Sequence, residues 1–169
     1  PRELIDMGIS MSFVPEDRLG MGLVAGMGMT DNMMLRSYRN GKGPFLERKG
    51  PRALALKIKD ALEVMTPSIS ASVRQMSGGN VQKVLVGREI AQSPKVLLVA
   101  FPTRGVDINT SHVIYKLLNE QKKKGVIRNI GFSFHDQLPV FEEVLHATDA
   151  WEFCLIQLNY VGTDYQAGL

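Results

Sequence analysis

The sequence has 169 residues, of which 44% are hydrophobic and 22% charged, so it can bury a core of one or one and a half domains and is not a disordered chain. Twenty basic residues against seventeen acidic ones leave a formal charge of +3, too small and too dispersed for a nucleic-acid-binding protein. The single cysteine, Cys154, excludes an internal disulfide and suits a reducing cytosol, and we expect neither a signal peptide nor direct membrane insertion.

The first part of the chain predicts one strand followed by irregular backbone. Residues 9–14 are mainly apolar and predict a short strand, which ends at Pro15 because proline cannot donate to a strand ladder. The glycines between residues 18 and 29 interrupt any helical period and predict a loop. Thr30 or Asp31 is the predicted cap of a short helix that follows.

Two helices and a strand are predicted in the middle of the chain. Pro51 suits the first turn of a helix, and apolar residues follow it at helical spacing as far as Met65. A second helix is predicted from Ser77 to about Gln92, with one apolar stripe. Its polar residues are expected to face away from the core, and these are Gln82, Lys83 and Arg88. The apolar run of residues 96–100 predicts a strand buried on both faces.

The remaining segments continue the alternation of helices and strands. Helices are predicted over residues 110–124 and 137–146, and strands over residues 127–133 and 151–158. Helices that alternate with apolar strands are typical of the α/β class with a parallel sheet. We therefore predict an α/β fold.

Ser77, Gly78, Gly79 and Asn80 form the sharpest chemical signal of the sequence. A serine cap and two glycines at the start of a helix leave backbone amides open to a phosphate, because no Cβ blocks the approach. An ordinary serine cap with a glycine turn would have the same residues, so these four alone do not separate the two interpretations.

Six short segments occur in a characteristic order along the first 124 residues. They are PEDR (15–18), GLV (22–24), DNM (31–33), SGGN (77–80), QKV (82–84) and PTRGVD (102–107). Together they resemble the ATP-binding-cassette ATPases, and more narrowly the second cassette of importers for sugars or nucleosides. The resemblance covers about residues 1–124 and implies a partial cassette fold, made of a helical subdomain and part of a parallel sheet.

In that family, the Ser-Gly-Gly loop of one cassette closes on the γ-phosphate of ATP held by the P-loop of another. The resemblance therefore implies a site for ATP and magnesium that is shared with a second cassette. The residues that this chain would contribute are Glu16, Ser77, Gly78, Gly79, Asn80 and Asp107. It also implies a membrane permease as partner, and hence a cytoplasmic location peripheral to the inner membrane.

The chain departs from the family at the positions that hydrolyse ATP. The P-loop pattern G-x-x-x-x-G-K-[ST] does not occur in the sequence. Ala100 stands where the family has a magnesium-linked aspartate, Phe101 stands where it has the catalytic glutamate, and Glu16 replaces the glutamine that senses magnesium. We therefore expect no hydrolysis by the chain alone. From the residues alone, 16–18 could equally be a solvated charged turn.

The sequence from Gly125 onward departs from the importer pattern altogether. The strings IRNIGFSFHD, W-x-F-C-x-I-Q-x-N-Y and YQAG resemble the iron-sulfur-associated aldo-keto reductases, over one βαβ piece of their TIM barrel. The resemblance implies that Ser133 contacts the nicotinamide of NADPH. The glutamine that would complete this contact is replaced by Leu155, with Gln157 two positions further on, and the catalytic residues of that family are absent. The predicted segments are thus 1–124 and 125–169.

His135 allows two interpretations. Cassette ATPases carry a histidine just after a strand, often followed by aspartate, that contacts the γ-phosphate, and His135-Asp136 follows a predicted strand. Inherited barrel sequence would look the same and is the interpretation we prefer. No set of metal ligands is predicted.

These observations leave three functional hypotheses. The first is a sugar-importer ATPase fragment that offers its Ser-Gly-Gly loop in trans. The second is an NADPH-binding relic of a reductase. The third is an inactive hybrid of the two families, in which both parts are α/β and could be joined in one fold.

Overall fold

A computed structural model describes residue 3, residues 6–38 and residues 45–156 of the chain. It divides the chain into two compact units, Pro1–Lys116 and Leu117–Leu169. The predicted boundary between residues 124 and 125 concerns a change of family resemblance, and it stays a prediction.

The described residues form three consecutive helices between the first and second strands, and helices and strands alternate only after the second strand. In chain order they are β1 (Met11–Val14), α1 (Met29–Ser37), α2 (Lys49–Ala61), α3 (Gly78–Ala91), β2 (Val96–Val99), α4 (Ile108–Lys123), β3 (Gly131–Phe134), α5 (Leu138–His146) and β4 (Phe153–Ile156). A π-helical turn over Arg18–Gly22 and a 3-10 turn over Val73–Gln75 lie between them. Within the described ranges, no helix combines the length and the apolar character needed to cross a bilayer.

The first unit is built around α3. Strands β1 and β2 pair in parallel, with Met11 opposite Val96 and Phe13 opposite Leu98. Helix α3 packs against β1, against α2 and against the π-helical turn, while α1 packs against α2. This arrangement places the start of α3, at Ser77, beside the turn that follows β1.

Helix α3 is buried almost all round, so the predicted polar outer face is wrong. Gln82, Lys83 and Arg88 are buried like the apolar residues between them. Because elements pack on several sides of this helix, each buried polar side chain needs a partner. The Lys83 ammonium donates to the Glu63 carbonyl at 3.3 Å, and Arg88 donates to the Gly22 carbonyl at 2.7 Å.

The prediction that strand β2 is buried on both faces is also wrong. Val96 is 42% and Leu98 is 49% exposed, and their register partners Met11 and Phe13 on β1 are 60% and 44% exposed. Only the opposite face of this two-stranded sheet, which includes Ser12 and Val14, is covered. A continuous apolar run predicts a strand, but it does not determine whether one or both faces of the sheet are covered.

Two local predictions change as well, and one is confirmed. Gly28, whose backbone is extended, takes the N-cap position of α1, while Thr30 is buried in its first turn. Pro51 lies in the first turn of α2 as predicted. Met65 lies beyond the end of α2 and is 76% exposed, because Leu62 already takes the C-cap position.

The second unit contains a strand, a helix and a strand in the predicted order. Strands β3 and β4 pair in parallel, with Ser133 opposite Leu155. An aromatic cluster forms the packing of this unit, and its members are Phe132, Phe134, Phe141 and Trp151. The positions of Gln157 and of the YQAG segment lie outside the described residues.

Candidate functional site

The start of α3 presents an exposed serine and an exposed glycine. Ser77 is the N-cap, and its hydroxyl accepts from the Asn80 amide at 3.4 Å and from the Asn80 side-chain nitrogen at 2.9 Å. In the described part of the chain, the amides of Gly78 and Gly79 donate no hydrogen bond. The first amides of a helix lack intrahelical partners and attract anions. Ser77 and Gly78 are exposed, so the side chains of the described residues leave them open.

Gly79 has a different role from Gly78, because it is buried. A Cβ at this position would lie 2.6 Å from the Thr110 hydroxyl oxygen and 3.0 Å from Asp107 Oδ2. A glycine is therefore required for the start of α3 to approach the start of α4. Of the two glycines, only Gly78 leaves an open approach to its amide.

Asp107 is exposed and caps the start of α4. Its carboxylate accepts from the Thr110 amide at 2.9 Å and from the Thr110 hydroxyl at 2.7 Å. The bond from the Thr110 amide, followed by that from the Thr110 hydroxyl, lowers the pKa of Asp107. Its predicted contact with ATP stays a prediction, while its capping role explains why an acidic residue suits this place.

Asn80 joins the loop to the segment after α2. Its side-chain oxygen accepts from the Met65 amide at 2.9 Å, while its nitrogen donates to the Ser77 hydroxyl. One end of this amide therefore holds the backbone at Met65, and the other holds the Ser77 side chain. Asn80 positions Ser77 in this structure.

Arg18 and Gln82 connect the loop to two other segments, and the sequence patterns did not single them out as site residues. Arg18 Nε donates to Gln82 Oε1 at 2.8 Å, and Gln82 Nε2 donates to the Pro102 carbonyl at 2.9 Å. Arg18 also donates to the Arg104 carbonyl. A Cβ on Gly78 would lie 3.3 Å from Arg18 Nη1, so the guanidinium lies beside the exposed glycine.

Glu16 pairs with Arg104 across the same surface. The two side chains form an ion pair, and the Arg104 guanidinium lies 5.4 Å from the centre of the Phe101 ring. Glu16 is thus more than a solvated turn residue, although its side chain is 49% exposed. The spacing of Glu16 and Arg104 in the chain carries no signal that would have predicted the pair.

A shallow cleft opens at the end of the first sheet, next to the positions where the family has its acidic residues. It encloses about 490 Å³ and is lined by Phe13, Pro15, Glu16, Asp17, Met21 and Ala100. The Ala100 side chain has no oxygen to offer to a metal ion, and Phe101 adopts a left-handed backbone with φ of 47° and is 60% exposed. Among the described residues, no group of three or more His, Cys, Asp and Glu could hold a metal ion.

The predicted residues of the C-terminal segment lie in the second unit. The Ser133 hydroxyl and His135 Nε2 are 2.9 Å apart, and both residues are exposed. Leu155, opposite Ser133 in the register, is 66% exposed and has no polar group to offer to a nicotinamide amide. The roles of Ser133 and His135 stay predictions.

Replacing Gly79 by alanine is expected to destabilise the first unit by about 1–3 kcal/mol. The added methyl would overlap the Thr110 hydroxyl at 2.6 Å, and Thr110 is buried and cannot turn away freely. Urea unfolding followed by circular dichroism measures the loss.

Gly26 provides the matched control for this substitution, because a Cβ there meets no described atom within 4 Å. Gly26→Ala should change the midpoint little. Equal midpoints for the two variants would contradict the packing role assigned to Gly79.

No protein-family model matches the sequence. The xylose import ATP-binding protein XylG of Moorella thermoacetica is 36% identical over 116 residues, 69% of this chain and 23% of that protein. The ribose import ATP-binding protein RbsA 1 of Streptomyces avermitilis is 37% identical over 120 residues, 70% of this chain and 23% of that protein. The ribose import ATP-binding protein RbsA 2 of Escherichia coli O157:H7 is 35% identical over 127 residues, which are 75% of this chain and 25% of that protein.

Over about 70% of its length, the chain is therefore homologous to ATP-binding proteins of ribose and xylose import. It spans about a quarter of the length of these curated relatives.

Solved structures confirm the fold of the homologous part. A dimeric ATP-binding cassette in a post-hydrolysis state, bound to ADP and Pi, matches with a TM-score of 0.58 at 23% identity, over 73% of this chain and 52% of that one. A nucleotide-free cassette from an ABC transporter matches with a TM-score of 0.52 at 24% identity, over 73% of this chain and 50% of that one. The chain thus has part of an ATP-binding-cassette fold, in the predicted α/β class. The resemblance of residues 125–169 to a TIM-barrel piece of aldo-keto reductases stays a prediction.

Proposed function

We propose that this chain is part of the ATP-binding subunit of a sugar importer, and that it supplies its Ser-Gly-Gly loop in trans to ATP held by the P-loop of a second cassette. One observation carries the proposal: Ser77 and Gly78 are exposed at the start of α3, and the Gly78 amide donates no hydrogen bond to any described residue. The homology to ribose and xylose import proteins supports the assignment to sugar import.

The residues around the loop fit a terminal phosphate. The Gly78 amide and the positive end of α3 attract an anion, and the Ser77 hydroxyl can turn to donate to one. The Arg18 guanidinium beside Gly78 adds a positive charge at the same place. These groups bind and orient a phosphate that another polypeptide presents.

The same residues do not fit magnesium. Magnesium prefers carboxylate and water oxygens, and Ala100 and Phe101 supply neither at the positions where the family has acids. Glu16 is already paired with Arg104. The metal and the groups that activate water would have to come from the P-loop side, so we propose that the isolated chain does not hydrolyse ATP.

A complementation assay tests the proposal. A P-loop-bearing cassette whose own Ser-Gly-Gly loop has been disabled is mixed with this chain, and magnesium-dependent ATP turnover is measured. The wild-type chain should raise turnover, and Ser77→Arg should abolish the gain because the long cation fills the phosphate position. Ser70→Arg, at an exposed serine outside the loop, should leave the gain intact.

Two results would overturn the proposal. One is turnover by the isolated chain that survives Ser77→Arg. The other is the absence of any nucleotide effect with the partner present. The further expectation, a cytoplasmic subunit held at the inner membrane by a permease, is tested by copurification with a sugar-importer permease.

The second unit supports an alternative proposal of its own. Strands β3 and β4 are parallel around α5, and Ser133 is exposed at the position that the reductase resemblance assigns to the nicotinamide. Titration of the chain with NADPH, followed by cofactor fluorescence, tests this hypothesis. No change at millimolar NADPH would end it and would favour an inactive hybrid of the two families.

A further inference from the structure

We infer that Arg18 and Gln82 form a relay that holds the Ser-Gly-Gly loop, the charged turn 15–18 and the loop 102–107 in one fixed arrangement. The coupling itself rests on geometry alone. Its meaning for nucleotide binding rests on the proposed function.

Gln82 is the centre of the relay. It is only 1% exposed, and both ends of its amide are used, one accepting from Arg18 and the other donating to the Pro102 carbonyl. A guanidinium can only donate and a carbonyl can only accept, so the amide has one satisfactory orientation. A buried amide with both ends satisfied holds its neighbours more firmly than a surface contact does.

Arg18 closes the arrangement on its exposed side. It donates to Gln82 and to the Arg104 carbonyl, and it lies beside Gly78. The Arg104 side chain in turn pairs with Glu16, two residues before Arg18. A displacement of loop 102–107 would therefore break bonds to the charged turn and to α3 together.

The consequence is a positioning role for Gln82 and Arg18. A ligand or partner that moves loop 102–107 would change the position of the Arg18 cation at Gly78, and a phosphate at Gly78 would in turn restrain the loop. Neither side chain has to take part in bond making for this effect.

Hydrogen–deuterium exchange of the full chain tests the relay without any nucleotide. Gln82→Met keeps the side-chain volume but removes both hydrogen bonds, so amides in 102–107 and in 16–22 should exchange about tenfold faster. Amides in the middle of α3 should keep their wild-type rates. Gln92→Met is the matched control, because the Gln92 side chain at the C-cap of the same helix makes no hydrogen bond within the described ranges.

Arg18→Met is a second test in case Gln82→Met does not fold. Arg18 is only partly buried, and its replacement removes the hydrogen bond to Gln82 without changing a buried residue. Faster exchange in both segments with either variant supports the relay. Unchanged exchange, or faster exchange over the whole first unit, overturns it.

The complementation assay separates the relay from the proposed function. If the wild-type chain stimulates its partner, Gln82→Met should raise the concentration of chain needed for half of the effect about tenfold. If the wild-type chain has no effect but exchange responds as expected, the proposed function fails and the relay stands.

Discussion

Replacing Glu89 by alanine should lower the free energy of unfolding by about 3–5 kcal/mol, because it leaves a buried cation without its partner. Glu89 is 1% exposed and accepts from Arg88 at 2.8 Å and from Arg36 at 2.9 Å. Burial lowers the pKa of Arg88, and the carboxylate of Glu89 works against that shift. Without Glu89, the Arg88 guanidinium stays buried, and the carboxylate that offsets the free-energy cost of burying its charge is lost.

Urea unfolding of wild type and variant, followed by far-ultraviolet circular dichroism, measures this loss. Asp60→Ala is the control, since Asp60 is an exposed acid on α2 with no ion pair among the described residues. Its effect should stay within about 0.5 kcal/mol. A Glu89→Ala midpoint close to that of Asp60→Ala would show that the buried ion cluster contributes little.

Replacing Asn32 by alanine should cost about 3 kcal/mol, because several backbone groups of one loop lose their partners together. Asn32 is fully buried, and its side-chain oxygen accepts from the Val24 amide at 2.8 Å. Its nitrogen lies 3.0, 3.2 and 3.3 Å from the carbonyl oxygens of Gly28, Val24 and Met27, which share its two N–H donors. One side chain thus takes the place of a strand or helix in satisfying this irregular segment.

Thermal and urea unfolding of Asn32→Ala measure the cost, and Asn109→Ala is the control. Asn109 is exposed in the first turn of α4, and its side chain makes no hydrogen bond in the described part of the chain. Proteolysis gives a second measure, because segment 23–28 should become the first site of cleavage in Asn32→Ala. Stability equal to that of Asn109→Ala would mean that the loop is held by other contacts.

Asn32 also shows how a sequence motif gains a physical explanation. In the sequence, GLV (22–24) and DNM (31–33) are only two segments that resemble importer cassettes. In the structure, the asparagine of DNM binds the backbone of the valine of GLV. The bond is to backbone atoms 8 residues away from Asn32, so a pattern of separate segments could not reveal it.

The sequence by itself determined the α/β class, the order of helices and strands, and the position of Ser77 as a helix cap. These features depend on spacing along the chain, since apolar periodicity and capping residues act over a few neighbouring positions. The resemblance to cassette ATPases also came from the sequence, and the homology to ribose and xylose import proteins agrees with it.

Only the tertiary structure decided which polar residues are buried and what they bind. Gln82, Lys83 and Arg88 alternate with apolar residues as they would on a half-exposed helix, yet α3 is enclosed by elements from distant parts of the chain. The partners of Gln82, at Arg18 and Pro102, are 64 and 20 residues away from it. Contacts over such separations are set by the packing of whole elements, and local spacing carries no record of them.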